Sequence, residues 1–366
     1  MSETSDQLLR GYQAQEKRFL ERRFPLRFAS ENPTLRELYR QAKRLRWNPE
    51  TDIAWRRFDP QAYPSAVREA ARLVWSRRAW GTYPGLGENT ALLIRFCLES
   101  GAAGMDAKLF LSFRPAEEAK QLEACFLFAR ALGGYVATPA AAVGRASNQP
   151  FAQMALDPDV SVESVVAALG ALDDQLDLDL CLSHLQHSRD ETARQILRLV
   201  AGDKQRHVLF AWTLLGDRLP GLDAAGRAAV GEAVRDMLER VILAGYRNTW
   251  LLPAESREPL LAAEALTAEH GLGASTVAQG KAAVRATLAQ VRERLAGWEV
   301  TLPPVDHPEL GRACCAVHSP RGGSRHERLS HRDPLSARAR LRHARRLGAV
   351  AAGQDARVGS GDGHPL

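Results

Sequence analysis

Long apolar runs are missing from this chain, and so are most of the short signatures by which a sequence announces its chemistry. One of the longest apolar stretches, CFLFARALGG at 125–134, is cut by an arginine and two glycines, well short of the roughly 20 residues that cross a bilayer. The amino terminus, MSETSDQLLRGYQAQEKRF, lacks the apolar centre of a secretory signal, so a cytoplasmic protein with no membrane partner is expected. Cysteine is scarce: there are five, an odd number, with no CxxC pair, which suits a reducing compartment better than a disulfide frame. No GxSxG elbow, Walker loop or GxGxxG after a strand is present. Nucleophilic Ser/His/Asp catalysis and dinucleotide or triphosphate binding therefore lose their usual carriers. GLGEN at 85–89 is a turn into a helix, too short to cradle a pyrophosphate.

Acidic residues are few at one end only. The formal charge is +6, yet from Arg312 onward eleven arginines face four acidic residues, so the rest of the chain is near neutrality and no nucleic-acid partner is expected. That end is rich in Arg, Gly, Ser and His and poor in aromatic and β-branched residues, a composition read as a solvated, disordered tail.

Alternating β patterns are almost absent from residues 1–300, and apolar residues instead recur at spacings of three and four, which predicts helices. Asn32-Pro33 is an N-cap followed by proline at the first helical position. WNPETDIAW at 47–55 is a loop pinned by two tryptophans. Helical regions are expected from about 65 to 99, broken near Tyr83-Pro84-Gly85, then to about 131, from 161 to about 186, and from a capping box at Ser188-x-x-Glu191 to about 215. Two more are expected at about 223–249 and 275–298. The chain then divides into N-terminal helices and a loop (1–62), a four-helix core (63–217), accessory helices (218–305) and the basic tail (306–366). The fold class is all-α, a helical bundle with extra peripheral helices.

Residues i and i+3 share a helix face, so a Glu-x-x-His pair presents a carboxylate and an imidazole to one inward point. Two such pairs, with one carboxylate from each of two further helices, assemble a two-metal site inside a bundle. Glu88 supplies the first helix and Glu118 the second, 30 residues on. Around Glu118, Leu122, Cys125, Ala129 and Leu132 share its side, so it faces the core. In ALDDQLDLDL, Asp174 is favoured by spacing and Asp177 is the alternative, with at most one or two of the four aspartates turned inward. On the fourth helix Ile196, Val200, Asp203, His207 and Leu214 form one stripe, which turns His207 inward. His184 and His187, near the end of the third helix, are read as cations meeting the helix dipole. Trp75, Trp80 and Tyr83 are read as core rather than as an electron relay.

RQILRLVAGDKQRHVLFAW resembles the fourth bundle helix of the ferritin-like di-iron oxidase and oxygenase superfamily, where the usual pattern is DExxH, and PAEEAKQLEA resembles its second-helix EExxH. WNPETDIAW is similar to the corresponding segment of ferritin-like proteins of the arylamine N-oxygenase kind. The resemblance covers about 47–217. It implies a ferritin-like bundle that holds two irons and activates dioxygen to oxidise an organic substrate, a carrier-bound acyl group or another protein.

Two departures stand at ligand positions: Gln121 where the first histidine belongs, and Lys204 where the second bridging glutamate belongs. Glu to Lys is a swing of two charge units, and an ammonium about 4 Å from a cation costs on the order of 4 kcal/mol per unit charge at an effective dielectric of 20. A neutral amide is also a poor substitute for imidazole at a transition metal. Three outcomes are expected: the ammonium replaces one metal, held by Glu88, Glu118 and an aspartate; a single metal survives on the His207 side with Glu118, Asp174 or Asp177, and Asp203; or the lysine is neutral and acts as base or ligand. The expected protein is an oxidoreductase of specialised metabolism. Its cofactor is iron, one ion or two, with manganese as the alternative. Its substrate is a small or carrier-bound molecule, its electron donor is open, and a homodimer is compatible with the pattern. The rival is a metal-free pseudo-enzyme whose bundle binds a partner or ligand.

Overall fold

Asn32 caps the first helix as its sequence suggests: its side chain accepts the amide of Leu35, and α1 (Pro33–Arg44) buries Leu35, Leu38 and Ala42. This computed structural model describes residues 28, 30–99, 104–139, 141–147, 151–302 and 307–310, all within the unit Met1–Ala316, and among the described residues every regular element is helical. Most of the expected tail, all but 307–310, lies outside the described residues, as do the first 27.

Four helical arms make the centre. The first is α2 (Ser65–Thr82) continued by α3 (Pro84–Leu98), interrupted at Tyr83 because Pro84 lacks the amide that would continue the ladder. After the short α4 (Met105–Leu111), the second arm, α5 (Arg114–Ala131), begins afresh with Pro115 in its first turn, where a missing N–H costs nothing. Two short helices, α6 (Ala141–Ser147) and α7 (Phe151–Leu156), lead to the third arm. That arm is composite: α8 (Val162–Val165), a π-helical stretch over Val166–Asp174, then α9 (Gln175–His187). The fourth is α10 (Glu191–Arg218), which buries Ile196, Val200, Asp203, Lys204 and His207 on its inner side. Gly170 of the third arm lies so close to Ala211 of the fourth that a Cβ there would collide with the alanine methyl.

Outside this centre pack α11 (Ala224–Met237) with a π turn at Leu238–Ile242, α12 (Ala254–Glu269) and α13 (Val277–Ala296). Three expectations are corrected. The helix expected to run to 249 ends at Ile242, and α12, with Pro259 inside it, occupies a stretch where no helix was expected. The fourth arm is capped by Asp190, whose carboxylate accepts the Ala193 amide at 2.8 Å; Ser188 instead donates to His184 O and closes the preceding helix. Tyr83 is exposed, whereas Trp75 and Trp80 are buried, their indole N–H groups donating to Leu272 O and Val136 O.

Candidate metal centre

His207 has no accessible surface, and its ring is fixed from outside the cluster. Nε2 lies 2.7 Å from Glu117 Oε2, so with the proton on Nε2 the carboxylate accepts it and the Nδ1 lone pair is left facing inward. Nδ1 sits 3.5 Å from Glu118 Oε1, too far for a good hydrogen bond, and finds no partner of that kind among the described residues. Burial and Arg114 pull the imidazole pKa down, and the bond to Glu117 together with the nearby Glu118 carboxylate more than reverses this. Glu117 is itself held by Arg206 at 2.5 Å.

Glu118, Asp174 and His207 are all buried, each with one donor atom within 4.8 Å of the others'. Gly85 makes room for the Glu118 carboxylate, since a Cβ there would stand 3.1 Å from its Cδ. Burial disfavours the ionised form of Glu118, yet Lys204 and His207 hold its pKa well below the usual range. Asp174 accepts Arg114 Nη2 at 2.6 Å. Glu88 lines a small void of about 20 Å³ with Glu118 and Asp174, though not with His207, and does not join the three. Its Oε1 has no partner among the described residues, and burial, reinforced by Asp173, pushes its carboxyl up to about 8.

Lys204 bonds Asp177 Oδ2 at 2.5 Å and faces Glu118 Oε2 at 3.8 Å. Burial lowers its pKa, but Asp177 and Glu118 outweigh burial and hold the ammonium form. In the metal-free chain the lysine is thus an ammonium, and Glu88 is not among its ion-pair partners. Arg247, in the loop after the π turn at 238–242, grips Asp173 through Nε (2.9 Å) and Nη2 (2.5 Å) and reaches Asp177 at 3.1 Å. Thus three of the four aspartates in ALDDQLDLDL turn inward, more than expected, because the π-helical stretch widens the turn and brings Asp173 and Asp174 in together.

Asp203 and Gln121 stand apart from the three ligand candidates. Asp203 accepts the indole N–H of Trp47 at 2.9 Å, pairs with Arg206 and lies 3.6 Å from Lys120, so it ties the 47–55 loop to the fourth arm instead of facing the void. Gln121 is 1 % exposed, with neither amide atom hydrogen-bonded among the described residues. It lines a separate cavity of about 120 Å³. His184 is no helix-end cation: burial, then Arg78 and Arg77, keep it neutral, and its Nδ1 accepts from Ser275 N at 3.0 Å.

Among the described residues three donors converge, Glu118, Asp174 and His207, and their chemistry is compatible with a divalent ion. Five carboxyl groups (Glu88, Glu118, Asp173, Asp174 and Asp177) face three fixed cations (Arg114, Lys204 and Arg247), and with Glu88 protonated near neutrality about one negative charge is left over. Two ions bring at least four positive charges into this poorly solvated centre, with the second beside the Lys204 ammonium. One ion at the three donors meets an oriented imidazole and two carboxylates, a set that suits Fe(II) or Mn(II).

Sequence reading missed Glu117, Arg114 and Arg247. Glu117 had a signal, the doubled acid in PAEEAKQ; Arg247 had none, being remote from all four arms in sequence.

No family model and no curated protein matches the sequence. Solved structures do match in shape. An R2-like ligand-binding oxidase with aerobically reconstituted Mn/Fe cofactor aligns with TM-score 0.54 and 15% identity over 73% of this chain and 92% of its own. A point variant of an R2-like ligand-binding oxidase, also aerobically reconstituted, gives TM-score 0.55 and 14% identity over 73% and 93% of the two chains. Another, reconstituted anaerobically, gives 0.54 and 16% over the same shares. The chain therefore carries the ferritin-like helical fold found in R2-like ligand-binding oxidases.

Proposed function

We propose that this chain is an oxidoreductase that holds one redox-active divalent ion, iron or manganese, at Glu118, Asp174 and His207 and uses dioxygen to oxidise a small or carrier-bound organic molecule. The observation that carries this reading is the buried His207 ring, clamped through Nε2 by Glu117 so that Nδ1 is turned toward Glu118 with no hydrogen-bond partner among the described residues. A bound ion would supply one-electron chemistry toward dioxygen. Around it, Arg114 orients Asp174, Glu117 orients His207, and Lys204 stands in the second ion's place as a fixed positive charge. The Mn/Fe cofactor reconstituted in the structural neighbours supports a site of this kind on this fold.

The purified chain, stripped with chelator and loaded anaerobically with Fe(II), should consume dioxygen on exposure to air, and the His207→Ala variant should not. Iron-independent behaviour in both would favour the second reading, a metal-free bundle that binds a ligand or partner. The Lys204–Asp177–Arg247–Asp173 ion-pair chain supports that alternative, because it already compensates most of the buried charge.

A further inference from the structure

We propose that the cavity beside Gln121 is a binding site for a small organic acid, whose carboxylate neutralises Arg78 and accepts from the Gln121 amide and whose apolar body lies against the apolar wall. As a substrate site it rests on the oxidase reading; as an anion site it does not.

Four cationic side chains line this cavity, Arg77, Arg78, Lys204 and Arg247, against two carboxylates, Asp177 and Glu264. Three of the four have counter-ions: Lys204 and Arg247 share Asp177, Arg247 also holds Asp173, and Arg77 lies 3.5 Å from Glu264. Arg78 pairs with no carboxylate among the described residues. Its guanidinium lies 4.5 Å from the Trp75 ring, Nη2 donates to Gly273 O, and Nη1 is buried without a hydrogen-bond partner among the described residues. His184 cannot serve as a compensating group, being a neutral imidazole whose Nδ1 is taken by Ser275. Burial and the neighbouring Arg77 weigh against the charged guanidinium, and Glu264 attracts it without forming an ion pair, so an anion in the cavity would supply a direct partner.

Gln121 is the second, independent observation. Its amide lines the cavity, is 1 % exposed, and leaves both donor and acceptor unused among the described residues. Leaving such groups unmatched is expensive, and a ligand carboxylate would accept from the amide N–H. Val74, Leu180, Ile196 and Val200 supply apolar wall to the same cavity. Size narrows the class further. A cavity of about 120 Å³ is slightly smaller than one that takes benzene, which limits the ligand to about six non-hydrogen atoms: a short-chain carboxylic acid.

Trp75 and Trp250 line the cavity, so intrinsic fluorescence reports on occupancy. Full-length protein, stripped of metal, is titrated with butyrate, with butyramide as the uncharged counterpart of equal size and with n-butylamine as the cationic one. Butyrate should give a saturable change, butyramide at least tenfold weaker binding, and butylamine none. Arg78→Gln should weaken butyrate tenfold or more. Gln121→Leu, which keeps the volume, should also weaken it and serves if Arg78→Gln fails to fold. Equal responses to the three compounds, or a folded Arg78→Gln or Gln121→Leu protein with unchanged butyrate affinity, would overturn the proposal. Butyrate binding without iron-dependent dioxygen consumption removes the oxidase reading and leaves the anion site standing; dioxygen consumption without butyrate binding does the reverse.

Discussion

Replacing Glu88 by glutamine should stabilise the metal-free protein at neutral pH, by an amount that grows with pH. Glu88 is 9 % exposed, one of its oxygens has no partner among the described residues, and burial with Asp173 pushes its carboxyl from 4.5 up to about 8. Between those values the folded protein keeps a proton that the unfolded chain has released. The native state thus binds more protons, and stability falls as pH rises through that window, opposite in sign to a salt-bridged carboxylate. Each pH unit is worth about 1.4 kcal/mol, so the accumulated loss is under about 1 kcal/mol at pH 5 and about 3 kcal/mol at pH 7. Glutamine keeps the shape without the ionisation and should recover it. Urea unfolding of chelator-treated parent and Glu88→Gln at pH 5, 6, 7 and 8 measures the gap directly. A gap that is constant with pH, or a variant less stable than the parent throughout, would refute the placement of Glu88 in a carboxylate-crowded, desolvated void.

Other perturbations test the neighbouring contacts. Glu117→Gln removes the carboxylate that orients His207 and should lower Fe(II) affinity about 10- to 100-fold in anaerobic calorimetry while leaving the helical signal intact. Lys204→Met leaves Asp177 and Glu118 without their ammonium and should cost about 3 kcal/mol in urea unfolding, the lower end for a broken buried pair, because Arg247 still reaches Asp177 at 3.1 Å. Gln121→His combined with Lys204→Glu should bind two irons per chain with oxygen-dependent near-ultraviolet absorption; a double variant that binds no more metal than its parent contradicts the roles given to these two positions.

Much of this centre could be read from spacing. Glu118, His207 and Asp174 lie on periodic helices whose apolar stripes fix which way each side chain turns, and the structure brings those three together. Asp203 shares the His207 stripe by its i to i+4 spacing, yet a stripe spans a wide arc, and Asp203 falls at its edge, where Trp47 and Arg206 meet it. The inward aspartate pair was hidden for another reason: a π-helical turn adds a residue to the register, which a 3.6-residue pattern does not anticipate. The counter-ions were the least legible, since Arg114 looks like a helix-start residue beside a proline and Arg247 lies in a loop beyond the bundle. Lys204 was visible as an anomaly, but its ammonium state depends on Asp177 at 2.5 Å, a distance no spacing rule supplies.

The central claim, one ion at three donors with an ammonium in the place of the second, is tested most directly by anomalous diffraction from crystals of the full chain soaked anaerobically in Fe(II) or Mn(II). The account predicts a single peak bounded by Glu118, Asp174 and His207 Nδ1, and its loss in His207→Ala. Two peaks in the parent protein, or one seated on Lys204 and Asp177 with His207 uninvolved, would contradict it.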